Sequence, residues 1–268
     1  MTARPVAALP LILAVGSALA GCSSPSPKDT SVAPAGSTDV VRAARAAAAR
    51  ANCRDLPTAR DLQEYLRRAP AEGGDAGGLF GGKMEWAAIV NRNGEICATA
   101  VATEDPAAAW PGSQAIAKAK AYTANAFSTD AQPLSTARLY TLTQPGHSLW
   151  GMAGPNPFNA DCVVAPQDAG RTDGRICGGS ITFGGGVPLY RKRLRIGGLG
   201  VSGDTACTDH EIAKRVRHVA QLDPERGPLA DDISYSSVDG PSVFTHPLCP
   251  NTWLNGKRVG DELRAAGH

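Results

Sequence analysis

The sequence predicts an α+β domain: an antiparallel sheet of about five strands flanked by helices in a layered arrangement. Three observations carry this. Asn91-Arg92-Asn93-Gly94 joins two β-prone runs, Met84 to Val90 and Ile96 to Thr103, and Asn-Gly between such runs is a strong hairpin signal. Residues 180–202 read as strands broken by glycine turns. Helical runs with one apolar face precede, separate and follow these strands, and hairpin-linked strands with helices outside them make an α+β fold.

The elements follow in order. Thr38 to Asn52 is rich in Ala and Arg, with Val40, Val41, Ala44, Ala48 and Ala51 at helical spacing. Thr58 is a candidate N-cap with Asp61 three residues on, and Leu62, Tyr65 and Leu66 share a face. Gly73 to Gly82 is a glycine-rich loop. After the hairpin, Gln114 to Phe127 has a buried helical face at Ile116, Ala119, Tyr122, Thr123, Ala126 and Phe127. A short helix is expected over Ser135 to Leu142. Gln144 to Arg175 is irregular, with four prolines, and a loop this long inside a domain is functional or stapled. Ser180 to Phe183, Val187 to Tyr190 and Leu194 to Ser202 are the later strands. Arg191-Lys192-Arg193 reads as a solvated turn between two of them. Asp209 to Leu222 is a helix, and a loop-rich tail ends in a short helix near Asp261 to Ala266.

The first residues have a separate character. Arg4 precedes an apolar run from Pro5 to Ala20 that ends Leu19-Ala20-Gly21-Cys22. The run is too short for the ~20 residues of a membrane span and suits a secretory leader. Small residues before Cys22 resemble the lipobox of bacterial lipoproteins, which implies a signal peptide over 1–21, lipidation of Cys22 and a membrane anchor outside the cytoplasm, at the cell envelope. Residues 22–37, rich in Ser and Pro, cannot bury enough apolar surface to order themselves and form a tether. Residues 38–268 form one domain with a disulfide-linked C-terminal extension.

Seven cysteines less Cys22 leave six, an even number that in an exported chain argues for disulfides. Six cysteines allow 15 connectivities. The preferred set is Cys53–Cys97, Cys162–Cys177 and Cys207–Cys249, the second of which would staple the long loop. No two cysteines sit two to four residues apart, so the usual metal-ligand spacing is missing and no metal site is expected. The net charge is +2, and without a Lys/Arg block nucleic acid is excluded as a partner.

Three stretches carry a family resemblance: Ala117-Lys118-Ala119-Lys120-Ala121-Tyr122-Thr123-Ala124, then Phe183-Gly184-Gly185-Gly186-Val187-Pro188-Leu189, then Ile196-Gly197-Gly198-Leu199-Gly200-Val201-Ser202-Gly203-Asp204, followed by Asp209 at a helix start. In this order they resemble the GlcG/HbpS haem-binding family, over roughly residues 85–220. The tail, with Cys207 and Cys249, looks like an exported, cysteine-containing subgroup. The resemblance implies an antiparallel sheet flanked by helices, assembly into homo-oligomers, and haem binding or degradation in some members. The hydroxyl that such proteins place after the Lys-rich helix has its nearest counterpart in Ser135, with Thr129 as a substitute.

Haem takes an axial ligand such as His. The candidates are His147, beside Leu149, Trp150 and Met152, then His210 at a helix start, and His246. Lys118 and Lys120 are candidate partners for propionates. Tyr122 and Tyr140 read as core. Thr123, Ser202 and Asp209 complete the candidate ligand-binding set. Gly198 to Gly203 also matches GxGxxG, but a dinucleotide site needs a parallel βαβ unit. Its glycines read as a strand packing closely on a helix, or as backbone donors at a helix start that hold a carboxylate or phosphate. Ser202 lacks a nucleophile-elbow spacing and reads as a turn or capping residue. The function expected is therefore binding of haem or a related small ligand. An enzyme acting on a small organic acid or on haem, or an assembly module without activity, are the alternatives.

Overall fold

The computed structural model describes residues 52–165, 168, 170 and 174–263, together with six residues between 40 and 48. The leader, Cys22 and the tether lie outside the described residues. So does much of the expected Thr38–Asn52 helix, although the described residues within it are helical. No described helix is long and apolar enough to cross a membrane.

Four strands form the main sheet: β1 (Trp86–Asn91), β2 (Ile96–Val101), β3 (Gly186–Arg191) and β4 (Leu194–Ser202), in the order β2-β1-β4-β3, all antiparallel. The count is four rather than about five because Ser180 to Phe183 is not a strand. Its backbone is held by side chains instead: Ile181 N–H donates to Thr123 Oγ1 at 3.0 Å, and Phe183 carbonyl accepts from Thr136 Oγ1 at 2.6 Å. The β1–β2 turn forms as expected, with Gly94 at φ +85° and Asn91 Oδ1 accepting from Asn93 and Glu95 N–H. Pro188 sits on β3, an edge strand, where a missing N–H is tolerated.

Helices cover both faces. Helix α1 (Ala59–Arg68) opens on Thr58 and Asp61, whose side chains cap each other's backbone N–H. Together with α3 (Ala206–Val219), it packs Leu62, Leu66, Ile212 and Val216 on Ala87, Ile89, Leu199 and Val201. On the opposite face α2 (Ser113–Phe127) sets Ala117 and Ala121 against Trp86, Ala88 and Val90. That face is almost side-chain-free on β4. A Cβ on Gly200 would run into the Ala117 carbonyl and lie 2.5 Å from Ala121 N, and one on Gly198 would lie 2.9 Å from Asn125 N. The glycines of the GxGxxG stretch therefore admit a helix backbone. Because β4 is antiparallel to both neighbours, no dinucleotide-type βαβ unit exists there.

The helix expected over Ser135–Leu142 is instead two 3-10 turns, Thr136–Leu139 and Thr141–Thr143. Its threonine hydroxyls bind carbonyls, as Thr141 does to Thr245 at 2.7 Å, and such bonds compete with a regular helix. Beyond α3 the chain forms a one-turn helix α4 (Ser236–Asp239) and a small hairpin, β5 (Thr252–Leu254) and β6 (Lys257–Gly260), turned by Asn255-Gly256. Asp261 to Leu263 are not helical, since Asp261 accepts from Asn251 N–H instead, and the rest of that expected helix lies outside the described residues. Disulfides join Cys53–Cys97, Cys162–Cys177 and Cys207–Cys249.

Candidate ligand cleft

The glycine-rich loop before β1 is tied down by one carboxylate. Asp204 accepts four backbone N–H groups: Leu79 at 2.7 Å, Phe80 at 2.8 Å, Gly82 at 3.1 Å and Thr205 at 2.7 Å. This holds Leu79 and Phe80 beside Trp110, with Phe80 and Trp110 edge-on at 5.5 Å. Leu79 is 56% and Trp110 48% exposed.

Below that lip lies a cleft of about 430 Å³, walled by Leu79, Trp110, Tyr140, Phe183 and Leu248, with His246 and Cys249 in its lining. The size is that of a small-molecule site. A cleft of the same volume at the β3–β4 turn, between Tyr190, Leu194 and Pro224, has no imidazole or sulfur among its described lining residues.

His246 is buried and both ring nitrogens are held. Nε2 accepts from Gly184 N–H at 3.2 Å, and Nδ1 lies 2.7 Å from the Pro247 carbonyl, an acceptor, so Nδ1 carries the proton. Burial is the main reason its imidazole is pushed down to about 4; the Pro247 bond opposes this, and the charges of His210 and Lys120 add to it. The Tyr140 ring centroid is 5.0 Å away.

Behind the cleft, α2, β4 and α3 meet in a buried polar centre. Lys120 Nζ lies 2.5 Å from Asp209 Oδ2, 3.0 Å from the Val201 carbonyl and 4.8 Å from the Phe183 ring centroid. Asp209, in the first turn of α3, uses Oδ1 to accept from Gly203 and Asp204 N–H at 3.1 and 2.9 Å. Burial raises its carboxyl while Lys120 lowers it. Glu85 is fully buried before β1, beside Asp209, and no N–H or hydroxyl donor reaches its carboxylate oxygens. Burial first, then the charges of Asp209 and Asp204, push it well above the usual carboxylate range.

The remaining sequence candidates are scattered. His147 is exposed on the 144–159 loop. His210 is buried, with Nε2 accepting from Ile233 N–H at 3.1 Å and 3.3 Å from Asp232. Lys118 reaches the Cys162 carbonyl at 2.6 Å, Thr123 the Ala119 carbonyl at 2.8 Å, and Ser135 the Asp231 carbonyl at 2.7 Å. Ser202 is buried at the end of β4, next to the Gly203 that Asp209 holds. The fold thus brings Ser202, Asp209 and Lys120 together behind the cleft, with His246 in its lining. Lys118, Thr123 and Ser135 hold loops in place. Glu85 and Asp204 were not singled out as site residues. Their signals were present: an acid opening an otherwise apolar strand, and an acid directly after the glycine block.

The HbpS-like family model, "Haem degrading protein HbpS-like", matches residues 80–217, just over half of the 268-residue chain. The corrinoid adenosyltransferases PduO of Citrobacter freundii and Salmonella typhimurium are each 32% identical over 102 residues, 38% of this chain. The chain covers only 23% of the length of those relatives. Among solved structures, Klebsiella pneumoniae protein ORFY is 22% identical, with 61% of this chain and 87% of that one covered at a TM-score of 0.43. A PduOC:heme complex is 27% identical, with 61% and 94% covered at a TM-score of 0.40. The family match runs from Phe80, at the end of the glycine-rich loop, through the sheet and α2 to most of α3, and the chain belongs to the HbpS-like family.

Proposed function

We propose that this protein binds haem, or a closely related small ligand, in the cleft between Trp110, Phe183 and His246, and that it does so outside the cytoplasm on a lipid anchor at Cys22. The observation that carries the ligand reading is an imidazole in the lining of an aromatic-walled cleft of about 430 Å³. The family description supports the choice of ligand. The donor set suits the group: His246 as axial ligand, and Trp110, Phe183 and Tyr140 as apolar faces for the ring. Bound haem would supply an iron able to exchange ligands and electrons. His246 would bind it through Nε2, giving up the Gly184 N–H, and keep the Nδ1–H bond to the Pro247 carbonyl, which orients the ring. Asp204, whose carboxylate is engaged by four backbone N–H groups, fixes the lip. The location rests on the leader and on three disulfides, which persist in oxidising compartments.

The test is a haemin titration of the purified protein, read by the Soret band. A saturable one-to-one shift is expected, weakened at least ~10-fold in His246→Ala and unchanged in His147→Ala. Weakening in His147→Ala alone would move the site to the 144–159 loop. A response that never saturates in wild type would end the haem reading.

A further inference from the structure

We propose that Cys207, Cys249 and His246 form a redox-gated cation site: once a dithiol opens the bridge, the two sulfurs and the imidazole bind zinc or a similar thiophilic divalent cation at the wall of the cleft.

Both sulfurs and an imidazole nitrogen of His246 lie within 4.8 Å of one another, and all three residues are buried. Thiolate and neutral imidazole are the donors zinc prefers, and two sulfurs with one imidazole leave a fourth position for water or a ligand. Local sequence spacing could not reveal this set, because Cys207 and Cys249 are 42 residues apart and meet only through the fold. The surroundings favour the opened form. Cys207 is in the first turn of the 14-residue helix α3, where negative charge is stabilised, and its backbone N–H already donates to Cys249 Sγ at 3.1 Å. Of the three bridges, this is the one with a cysteine among the described lining of the cleft. With Nε2 turned from the Gly184 N–H to the cation, Nδ1–H still donates to the Pro247 carbonyl, the kind of partner that orients metal-binding imidazoles.

The redox step balances with a dithiol carrier as reductant. Its thiolate attacks Cys249 Sγ from the cleft, the S–S bond breaks, and the electron pair leaves on Cys207 Sγ. The carrier's second thiol then resolves the mixed disulfide, so that the carrier ends as a disulfide and the protein as two thiols. Cation binding releases the thiol protons to solvent.

The experiment uses the full chain without haemin. Cobalt(II) is titrated into oxidised protein and into protein treated with a limiting amount of dithiol, and the sulfur-to-cobalt charge-transfer absorption is read. One cobalt per chain, displaced by zinc, is expected only after reduction, with affinity lowered at least ~10-fold in His246→Ala. Replacing a cysteine could impair folding, so alkylation with mass mapping on wild type supplies a second readout. Cys207 and Cys249 should be labelled first after limited reduction, and zinc should protect them. Equal cobalt binding by the oxidised protein, indifference to His246→Ala, or protection at Cys162 and Cys177 instead would overturn the proposal. Because haemin is absent throughout, failure of the haem titration leaves this result standing, and the reverse also holds.

Discussion

The two faces of the sheet are packed by opposite means. On the α1/α3 face, Leu199 and Val201 interdigitate with Leu62, Ile212 and Val216, a contact between side chains. On the α2 face, Gly198 and Gly200 present bare backbone to the Ala117 and Ala121 turns, a contact between main chains. The first kind of packing tolerates exchange of one aliphatic residue for another of similar volume. The second admits nothing larger than hydrogen. The difference explains why Gly198, Leu199, Gly200 and Val201 alternate between glycine and a branched aliphatic residue.

The largest expected effect breaks the main-chain face. Gly200→Ala drives a Cβ into the Ala117 carbonyl, which α2 cannot withdraw without leaving the sheet, and should cost more than about 3 kcal/mol in denaturant unfolding. Leu199→Ala, one residue along and on the other face, should cost about 2–4 kcal/mol by leaving a cavity. If Gly200→Ala were the milder of the two, the contrast between faces would be wrong. A third change probes the point where the faces meet. Glu85 keeps its proton when folded, so its contribution to stability is complete below its ordinary value of 4.5 and is lost as pH rises from there toward its raised folded value. Glu85→Gln should remove that decline, so that the variant gains on wild type as pH rises above 4.5. A gap that does not vary with pH would show that Glu85 ionises freely. The smallest effect is at the rim of the side-chain face. Thr58→Ala removes half of the α1 capping box and should cost about 1 kcal/mol, with the thermal transition still cooperative.

Much of this was legible in the chain because its determinants are local. Asn93-Gly94 sets the first hairpin, Thr58 and Asp61 set the start of α1, and the glycine block marks β4. Asn255-Gly256 carried the same hairpin signal, but strands of three and four residues are too short to show a period. Ser180–Phe183 has strand-forming residues yet finds its partners in the hydroxyls of Thr123 and Thr136, which no local pattern announces. The site was legible only in part for the same reason. Asp209 and Ser202 adjoin the glycine block and could be picked out. The cleft itself is assembled from Trp110, Phe183 and His246, segments up to 136 residues apart, and the Lys120–Asp209 pair spans 89.

The bridge between Cys53 and Cys97 has a mechanical side. Cys97 lies on β2, an edge strand of the main sheet, and Cys53 ends the segment that leads in from the N-terminus. A pull on that segment is therefore delivered by a covalent bond straight into an edge strand. Helix α1, which follows Cys53 and lies beside the core, is bypassed by the load. Reducing this bridge would reroute the same force through α1, so the domain would yield at that helix before its sheet.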